Sequence, residues 1–508
     1  MRPSHDKNNT VILPLTASIN ENIKTLDTLF ENCSDVVNRR FTIGGDYKVD
    51  IYVSYIDNMV DRQLLEQNVI KNLLYKMDLL PASNPYEYIK DKALQSVDIK
   101  ELTTMEDITQ AILSGDMTIL VDGYSKALMV SLKDFPSRGV PAVESEVTIR
   151  GAKDSFTESN AINKVLIRRR IRDTQLKMES MNVGIRSRTD VTIVYMDGIV
   201  KKGLVKEIKE RINSFVIDGI FDIGMLEQLT ETAWYSPFPQ CQSTERPDKT
   251  ASALLEGRVA ILVDTSPMAL LLPVTVNSFF QASDDYYSRW QIVSFIRILR
   301  YIAAFIAIGL PGLYIAIANY HPEMIPTSLA LSLAASRIGV PFSIVLEVII
   351  LQLAFELLSE AGIRLPNPLG NTIGIVGGLI IGDAAVSANL VSSMVVIVVA
   401  FTAIASFTIP NETFSSAFRL IRYMIIFFSA VLGLFGFVMG MMIVLIHLAG
   451  LKSFGVPYLS PFVAVNHNRE HPISDSLLKF PIFKLKKRPF YANPEEKIRF
   501  TEDKQNKK

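Results

Sequence analysis

The sequence has few of the side chains from which disulfide frameworks, metal sites and basic binding surfaces are built. Its 508 residues include two cysteines, Cys33 and Cys241, and five histidines. Two cysteines are too few for a disulfide framework in so long a chain, so we expect reduced thiols. Lysine plus arginine equals aspartate plus glutamate, at 52 each, so no net positive charge favours a nucleic-acid partner.

The sequence also lacks recognisable targeting and catalytic motifs. Its first residues have no apolar run of about 7 to 15 residues such as a secretory signal peptide requires. No P-loop, dinucleotide-binding or G-x-S-x-G motif is present. His467 and His471 are four residues apart, but Pro472 favours a loop over a zinc-binding helix. We therefore predict no enzyme activity, no cofactor and no metal, and a soluble part on the cytoplasmic side.

What the sequence does have is a sharp division into a charged half and an apolar half. Residues 1–290 are charged and periodic, whereas residues 291–450 are largely apolar. About twenty apolar residues cross the ~30 Å hydrocarbon core as a helix, so we predict an α-helical multi-pass membrane domain at 289–450. Residues 451–508 have 12 Lys/Arg against 6 Asp/Glu. This excess predicts a basic cytoplasmic tail.

The charged half contains an internal duplication. Two pairs of segments match in the same order: DIYVSYIDNMVD with DVTIVYMDGIVK, and GDMTILVDGYSKALMV with GRVAILVDTSPMALLL. After an N-terminal tail (1–19), we therefore predict a duplicated α/β cytosolic domain of two similar subdomains, 20–140 and 155–288. In each copy we expect a strand first, then a helix, then a β-hairpin with its turn at Asp122-Gly123 or at 264–267.

Two stretches of this half are open to more than one interpretation. Residues 259–276 are apolar enough to suggest a membrane span, but the charged residues around the matching pattern of the first copy favour paired strands. Residues 160–181 have a helical pattern and carry Arg168, Arg169, Arg170 and Arg172. These arginines favour a solvated face with internal ion pairs, and the alternative is a subunit contact or the anionic membrane surface.

In the apolar half, the stretch 366–411 contains one ionisable side chain, Asp383. Gly374, Gly378 and Gly382 are spaced four apart, which on a helix forms a smooth ridge for close packing. Asn389 falls near the same face. We consider two roles for this stretch: a helix-packing seam, or a solute or ion path with Asp383 inside it.

A second group of acidic residues lies in the stretch 341–362. Glu356 and Glu360 align with Gln352 on one helical face, and Glu347 points roughly opposite. This pattern suits an amphipathic helix packed against a partner, or a cation path. The candidate residues for ion passage or gating are thus Glu347, Glu356, Asp383 and Asn389.

The number of membrane crossings is ambiguous. Five apolar stretches are long enough to cross: 297–318, 341–360, 371–391, 393–410 and 423–450, the last as one long tilted span. Arg297 and Arg300 would snorkel from the first towards the cytoplasmic surface. Five crossings would put the basic tail outside, so we favour four, in which the segment 341–360 does not cross completely. That topology places Arg419 and Arg422 on the outer side. The alternative is a re-entrant segment at 371–410.

Several segments together resemble the A subunits of GerA-type spore germinant receptors. They are SPFPQCQSTERPDKTASALLEGRVAILVDTSPMALLLPVTVNSFFQASDDYY, EAGIRLP, GNTIGIVGGLIIGDAAVSANLVS and VVIVVAFTAIASFTIP, with INKVLIRRRI and the duplication. The resemblance covers roughly residues 20–465. One departure is Thr265, where glycine often follows the turn aspartate, and a turn can absorb it.

The resemblance implies an inner-membrane protein of endospore-forming bacteria. Its expected partners are a permease-like B subunit, a lipoprotein C subunit, membrane lipid and further copies of itself, as a pentameric ring. The implied function is an oligomeric channel subunit that releases monovalent cations when nutrient is sensed. The alternatives are a secondary transporter with Glu347, Glu356 or Asp383 as coupling carboxylates, and a scaffold whose helices only anchor the cytosolic domain.

Overall fold

A computed structural model of the chain describes residues 13–45, 47–75, 80, 84–94, 98–135, 143, 146, 148, 150–364, 382–463, 475–493, 495, 498 and 499. These residues form two compact units. The α/β unit comprises 1–231, 241–273 and 486–508, and the helical unit comprises 232–240 and 274–485. The segments 232–240 and 274–288 thus group with the helices, and 486–508 groups with the α/β unit.

The α/β unit contains two five-stranded antiparallel sheets with equivalent strand orders, β1-β2-β4-β5-β3 and β6-β7-β9-β10-β8. The first sheet consists of β1 (Val36–Ile43), β2 (Val49–Ile56), β3 (Ile99–Leu102), β4 (Met117–Val121) and β5 (Ala127–Val130). The second consists of β6 (Leu176–Val183), β7 (Thr189–Met196), β8 (Gln242–Thr244), β9 (Val259–Val263) and β10 (Ala269–Leu272).

Helices flank both sheets. They are α1 (Ile19–Leu29), α2 (Arg62–Leu64), α3 (Lys71–Tyr75), α4 (Pro85–Tyr88), α5 (Met105–Leu113), α6 (Asn160–Arg168), α7 (Leu204–Asn213), α8 (Ile223–Thr230) and α9 (Pro247–Leu255). Two π-helical stretches, Leu65–Ile70 and Ile89–Ala93, continue α2 and α4. In the segment 61–77, where we expect the helix of the first copy, Leu65, Val69 and Leu73 are buried, whereas Leu64 and Leu74 are exposed.

The predicted hairpins are present as β4–β5 and β9–β10, so residues 259–272 form a β-hairpin rather than a span. Two predictions for this unit were wrong. In each copy a helix and a strand precede the predicted first strand: α1 and β1, and α6 and β6. The arginine-rich helix ends at Arg168, and the strand β6 begins at Leu176. Its alternating residues Leu176 and Met178 are fully buried, which is the pattern of a strand rather than of a helix.

Both cysteines are free and buried in the α/β unit. Burial raises the pKa of each thiol. The pKa of Cys241 lies well above its usual value because that thiol is fully buried, and the nearby carboxylates of Glu227 and Glu231 raise it further. A raised pKa leaves little thiolate, the reactive form of cysteine.

Burial, with the like charges of Glu231 and Asp222, also raises the pKa of Glu227 in α8 to about 7. In an unfolded chain a glutamate titrates near pH 4.3, so between about pH 4.3 and 7 the folded state retains a proton that the unfolded state has lost. This group's contribution to stability therefore falls as the pH rises through that window.

We expect Glu227→Gln to stabilise the protein at pH 8 by about 3 kcal/mol relative to wild type, and to have little effect at pH 4. Urea denaturation of the detergent-solubilised chain, followed by circular dichroism, measures this difference. Glu210→Gln, at an exposed position of α7, is the control. If Glu227→Gln raised the free energy of unfolding equally at pH 4 and pH 8, the raised pKa would not belong to Glu227.

The helical unit consists of α10 (Val276–Phe280), α11 (Asp284–Tyr287), α12 (Trp290–Tyr320), α13 (Thr327–Ser336), α14 (Ile344–Arg364), α15 (382–387), α16 (Ser393–Phe407) and α17 (Glu412–Gly450). Short 3-10 turns follow α12 and lie at Ile482–Lys484, and Lys452–Ser453 pairs with Val456–Pro457 as β11 and β12. Among the described helices, α12 and α17 are long and apolar enough to cross a membrane.

The helix α17 reverses direction at Gly433, where φ is 62° and ψ is −138°. A methyl group placed on Gly440 would lie 3.4 Å from Ile425 Cγ1, although a straight helix would separate these residues by about 22 Å. Phe238 likewise contacts both Phe418 and His447. α17 is therefore a helical hairpin with a first arm (412–432) and a second arm (434–450), and the prediction of one long tilted span was wrong.

Candidate functional site

The helical unit contains a group of charged and polar side chains that we call the Glu356 cluster: Glu356, Gln352, Arg419, Arg422 and Ser406. Glu356 lies on α14, and its carboxylate is 3.4 Å from Arg419 Nη1 and 3.8 Å from Arg422 Nη1, both on the first arm of α17. Gln352 donates to Glu356 Oε1 at 3.4 Å. Two arginines thus neutralise one carboxylate.

Arg422 is the most enclosed charged member of the Glu356 cluster, with 1% of its surface exposed. Its Nε donates to the carbonyl oxygen of Ala307 in α12 at 2.7 Å, and its Nη2 donates to Ser406 Oγ in α16 at 2.7 Å. One guanidinium therefore bonds to α12 and α16 and lies close to the carboxylate on α14. A buried arginine with these partners fixes the relative position of four helices.

A second group, the Glu347 cluster, consists of Tyr314, Arg337, Glu347 and Ser392. Glu347 is fully buried, and its Oε2 accepts the backbone N–H of Ser392 at 2.8 Å. Arg337 Nε lies 3.5 Å from the other carboxylate oxygen. Glu347 and Glu356 are nine residues apart, or about 13 Å along α14, so the structure places them in two separate clusters.

The remaining predicted site residues lie elsewhere. Asp383, in α15, and Asn389 are exposed at the surface of the chain, and Asn389 has a φ of 52°. A methyl group on Gly382 would meet Val396 at 3.6 Å, an ordinary packing distance. Gly374 and Gly378 lie outside the described residues, so the glycine ridge remains a prediction.

A third charged group, the Asp285 cluster, lies at the start of α12. Arg297 is fully buried: its Nε donates to Asp285 Oδ2 and its Nη1 to Asp475 Oδ1, each at 3.0 Å. Arg300 also donates to Asp285. Arg297 therefore forms buried ion pairs, and the prediction that it snorkels towards a membrane surface was wrong.

Part of the predicted basic tail is built into the Asp285 cluster. The ammonium group of Lys479 donates to the backbone oxygen of Asp285 and lies 5.2 Å from the centre of the Tyr286 ring. Burial and the positive charge of Arg297 lower the pKa of Lys479. The segment around Asp475–Lys479 is thus a packed part of the helical unit rather than a solvated extension.

Residues 24–491 match the model of the family described as Bacillus/Clostridium GerA spore germination protein. The chain belongs to the GerA family. The uncharacterized membrane protein YfkQ of Bacillus subtilis (strain 168) is 37% identical over 94% of this chain and 91% of its own length. Spore germination protein A1 of the same organism is 39% identical over 90% of this chain and 92% of its own.

A crystal structure of the N-terminal domain of the A subunit of the Bacillus megaterium spore germinant receptor GerK3 is also similar to this GerA-family chain. It is 31% identical in sequence and covers 52% of this chain and 97% of its own, with a TM-score of 0.42. The family predicted from the sequence is confirmed by the family match and the curated relatives.

Sequence patterns identified both acids of the GerA-family bundle but not their partners. From the sequence, Arg419 and Arg422 were placed on the outer side of a four-crossing topology and were given no partner. Their spacing of three residues nevertheless places both on one helical face. Tyr314, Arg337 and Ser392 carry no pattern of their own. Within the described residues, no group of three or more histidine, cysteine, aspartate or glutamate side chains could hold a metal ion.

Proposed function

We propose that this chain is the A subunit of a nutrient-responsive spore germination receptor and that its helical unit is one subunit of an oligomeric channel for monovalent cations. Membership of the GerA family supports the first part. The observation that carries the second is the presence of Glu347 and Glu356 inside an apolar helix bundle, each beside an arginine of another element. Acids within membrane spans face the bundle interior or a water-filled cavity, and they commonly mark a path for ions or protons.

The arrangement of the Glu356 cluster suggests how such a path is kept closed. A carboxylate attracts cations only while its charge is not already balanced, and here Arg419 and Arg422 balance that of Glu356. We propose that the described conformation is the non-conducting one. Opening would separate the first arm of α17 from α14 and expose the Glu356 carboxylate to the path.

The proposed assembly includes further copies of the chain, in a pentameric ring, together with a permease-like B subunit and a lipoprotein C subunit. Large apolar side chains are exposed along α12 and α17, including Phe295, Leu299, Phe427 and Phe435. Such a surface suits lipid or the helices of another subunit. The proposed location is the spore inner membrane, crossed several times, with the α/β unit and the C-terminal tail in the cytoplasm.

The test measures cation flux through the complete receptor reconstituted in liposomes. We expect opposite effects from removing the positive charge of Arg419 and the negative charge of Glu356. Arg419→Gln leaves Glu356 less neutralised, so we expect cation leak without germinant, about tenfold above wild type. Glu356→Gln leaves two uncompensated arginines that repel cations, so we expect germinant-triggered flux to fall by about tenfold or more.

Glu412→Gln removes the same charge from an exposed position at the start of α17 and is the control for Glu356→Gln. Arg419 is the better arginine to change because it is 30% exposed, whereas loss of Arg422 would also remove its bonds to α12 and α16. If both variants behave like wild type in flux and in germination, the path does not pass the Glu356 cluster.

A scaffold is the second candidate function. Ion pairs that hold four helices together, as Arg422 does, also suit a bundle whose only role is to anchor the cytosolic domain. A scaffold predicts that Arg419→Gln lowers the stability of the bundle without causing a leak.

A further inference from the structure

The Glu347 cluster brings together polar atoms from four different parts of the helical unit. Tyr314 lies on α12, Arg337 directly after α13, Glu347 in the first turn of α14, and Ser392 directly before α16. Glu347 is 0% exposed and Ser392 is 1% exposed. Their surroundings are apolar, with Ile315, Ile344, Val348, Val395 and Val399 in one hydrophobic core.

Three buried oxygen atoms of this cluster have no hydrogen-bond partner. They are the hydroxyl oxygens of Tyr314 and Ser392 and Oε1 of Glu347. The Tyr314 hydroxyl interacts with the Ser392 side chain without meeting the geometry of a full hydrogen bond, and it lies within electrostatic range of Glu347 and Arg337. A buried polar group without a partner is destabilising, and a charged one more so. Three such atoms in one place indicate that a ligand or solvent completes the site.

The chemistry of these atoms favours a cation. All three are oxygens, the ligand atoms that hard cations prefer, and one of them carries the carboxylate charge. A hydroxyl can turn its lone pairs towards a cation while its hydrogen points away. With a single carboxylate, the site balances one positive charge, which favours a monovalent ion over a divalent one.

In the described conformation a positive charge from the chain itself lies at this position. Arg337 Nε is 3.5 Å from Glu347 Oε1, but the contact does not meet the geometry of a hydrogen bond, since both atoms remain without a partner. Arg337 follows the last residue of α13 and is 33% exposed. Its Nη2 donates to the backbone oxygen of Phe342 at 3.3 Å.

We propose that Glu347, Tyr314 and Ser392 form a binding site for a monovalent cation, and that Arg337 is a tethered cation that competes for it. This inference rests on the proposed function, because it gives a channel a specific site for the ion. Arg337 belongs to the connection between α13 and α14, so withdrawing its side chain requires no change in either helix. Binding of the free ion and binding of the guanidinium are mutually exclusive.

The experiment measures ion binding rather than flux. Purified full-length protein in detergent is equilibrated with radiolabelled Rb⁺, and competition is tested with K⁺, Na⁺ and choline chlorides at constant ionic strength. Arg337→Gln removes the competitor, so we expect the apparent affinity for Rb⁺ to rise about tenfold. Glu347→Gln keeps an oxygen for the N–H of Ser392 but removes the charge, so we expect it to abolish binding.

The double variant Arg337→Gln/Glu347→Gln is the matched control. If it binds Rb⁺ as tightly as Arg337→Gln does, the bound ion is elsewhere and the proposal is wrong. Tyr314→Phe, in the Arg337→Gln background, removes one oxygen and is expected to weaken binding several-fold. Equal affinity for choline and Rb⁺ would show a non-specific charge effect and would also overturn the proposal.

The result separates this inference from the proposed function. If Rb⁺ binding depends on Glu347 but the receptor conducts no ions, the cation site is supported and the channel function is contradicted. If the receptor conducts ions but Arg337→Gln and the double variant bind Rb⁺ equally, the channel function is supported and the cation site is contradicted.

Discussion

Replacing Gly433 by alanine is expected to prevent the helical hairpin of α17 from forming. At φ 62° and ψ −138° the residue adopts a backbone conformation that is essentially restricted to glycine, and any other residue there costs of order 1–3 kcal/mol. An added methyl group would also lie 2.9 Å from Cγ of Tyr320, too close for an ordinary contact. The strain and the clash act together, so we expect several kcal/mol of destabilisation of the helical unit.

The measurement is thermal unfolding of the full-length protein in detergent, followed by tryptophan fluorescence. Trp234 and Trp290 both belong to the helical unit, so the transition monitors that unit. The expected result is a large fall in the midpoint or loss of the folded peak on size-exclusion chromatography. Gly450→Ala is the control, because a methyl group there meets nothing within 4 Å. A Gly433→Ala protein as stable as this control would show that the chain does not reverse at Gly433.

Replacing Arg168 by methionine is the second substitution with a large expected effect. Arg168 is fully buried in the α/β unit, and its Nε and Nη2 each donate to the Asp35 carboxylate at 2.9 Å. Removing one partner of a buried ion pair leaves the other uncompensated, which costs about 3–5 kcal/mol. We therefore expect a loss of that order in the free energy of unfolding of the α/β unit.

The double variant Asp35→Leu/Arg168→Met tests the physical reason. Replacing both charges by apolar groups removes the uncompensated carboxylate, so we expect it to recover most of the lost stability. Arg186→Met is the control: Arg186 pairs with Asp218, but both side chains are about 80% exposed, so a change below about 1 kcal/mol is expected. Proteolysis in urea, with fragments of the α/β unit resolved on gels, measures all three. If Arg168→Met loses no more stability than the control Arg186→Met, the Asp35–Arg168 pair has no structural role.

The sequence predicted best those features that depend on local periodicity. Ile51 and Val53 alternate with their neighbours, as do Val191 and Ile193, and both runs are buried strands. Leu204, Ile208 and Ile212 recur at helical spacing and form the buried side of α7. In α7 burial on one side sets the pattern, whereas β2 and β7 are buried on both faces and their β-branched and aromatic residues indicate the strand.

Features that depend on distant partners were not predictable in this way. Arg168 was expected to lie on a solvated face because its carboxylate partner is 133 residues away in the chain. Glu356 was selected as an acid in an apolar segment, but nothing in α14 indicates that Arg419 faces it. The apolar sequence also continues without interruption across Gly433. Hydrophobicity contains no information on the sign of φ, so the sequence did not indicate the reversal there.

The reversal at Gly433 has a consequence for the C-terminal part of the chain. Because the two arms of α17 lie side by side, residues 411 and 451 emerge at the same end of the pair. If both arms enter a bilayer, they leave and return to one compartment, whatever number of helices precedes them. In that case a single glycine torsion keeps the 58 residues after α17 in the compartment that residue 411 occupies.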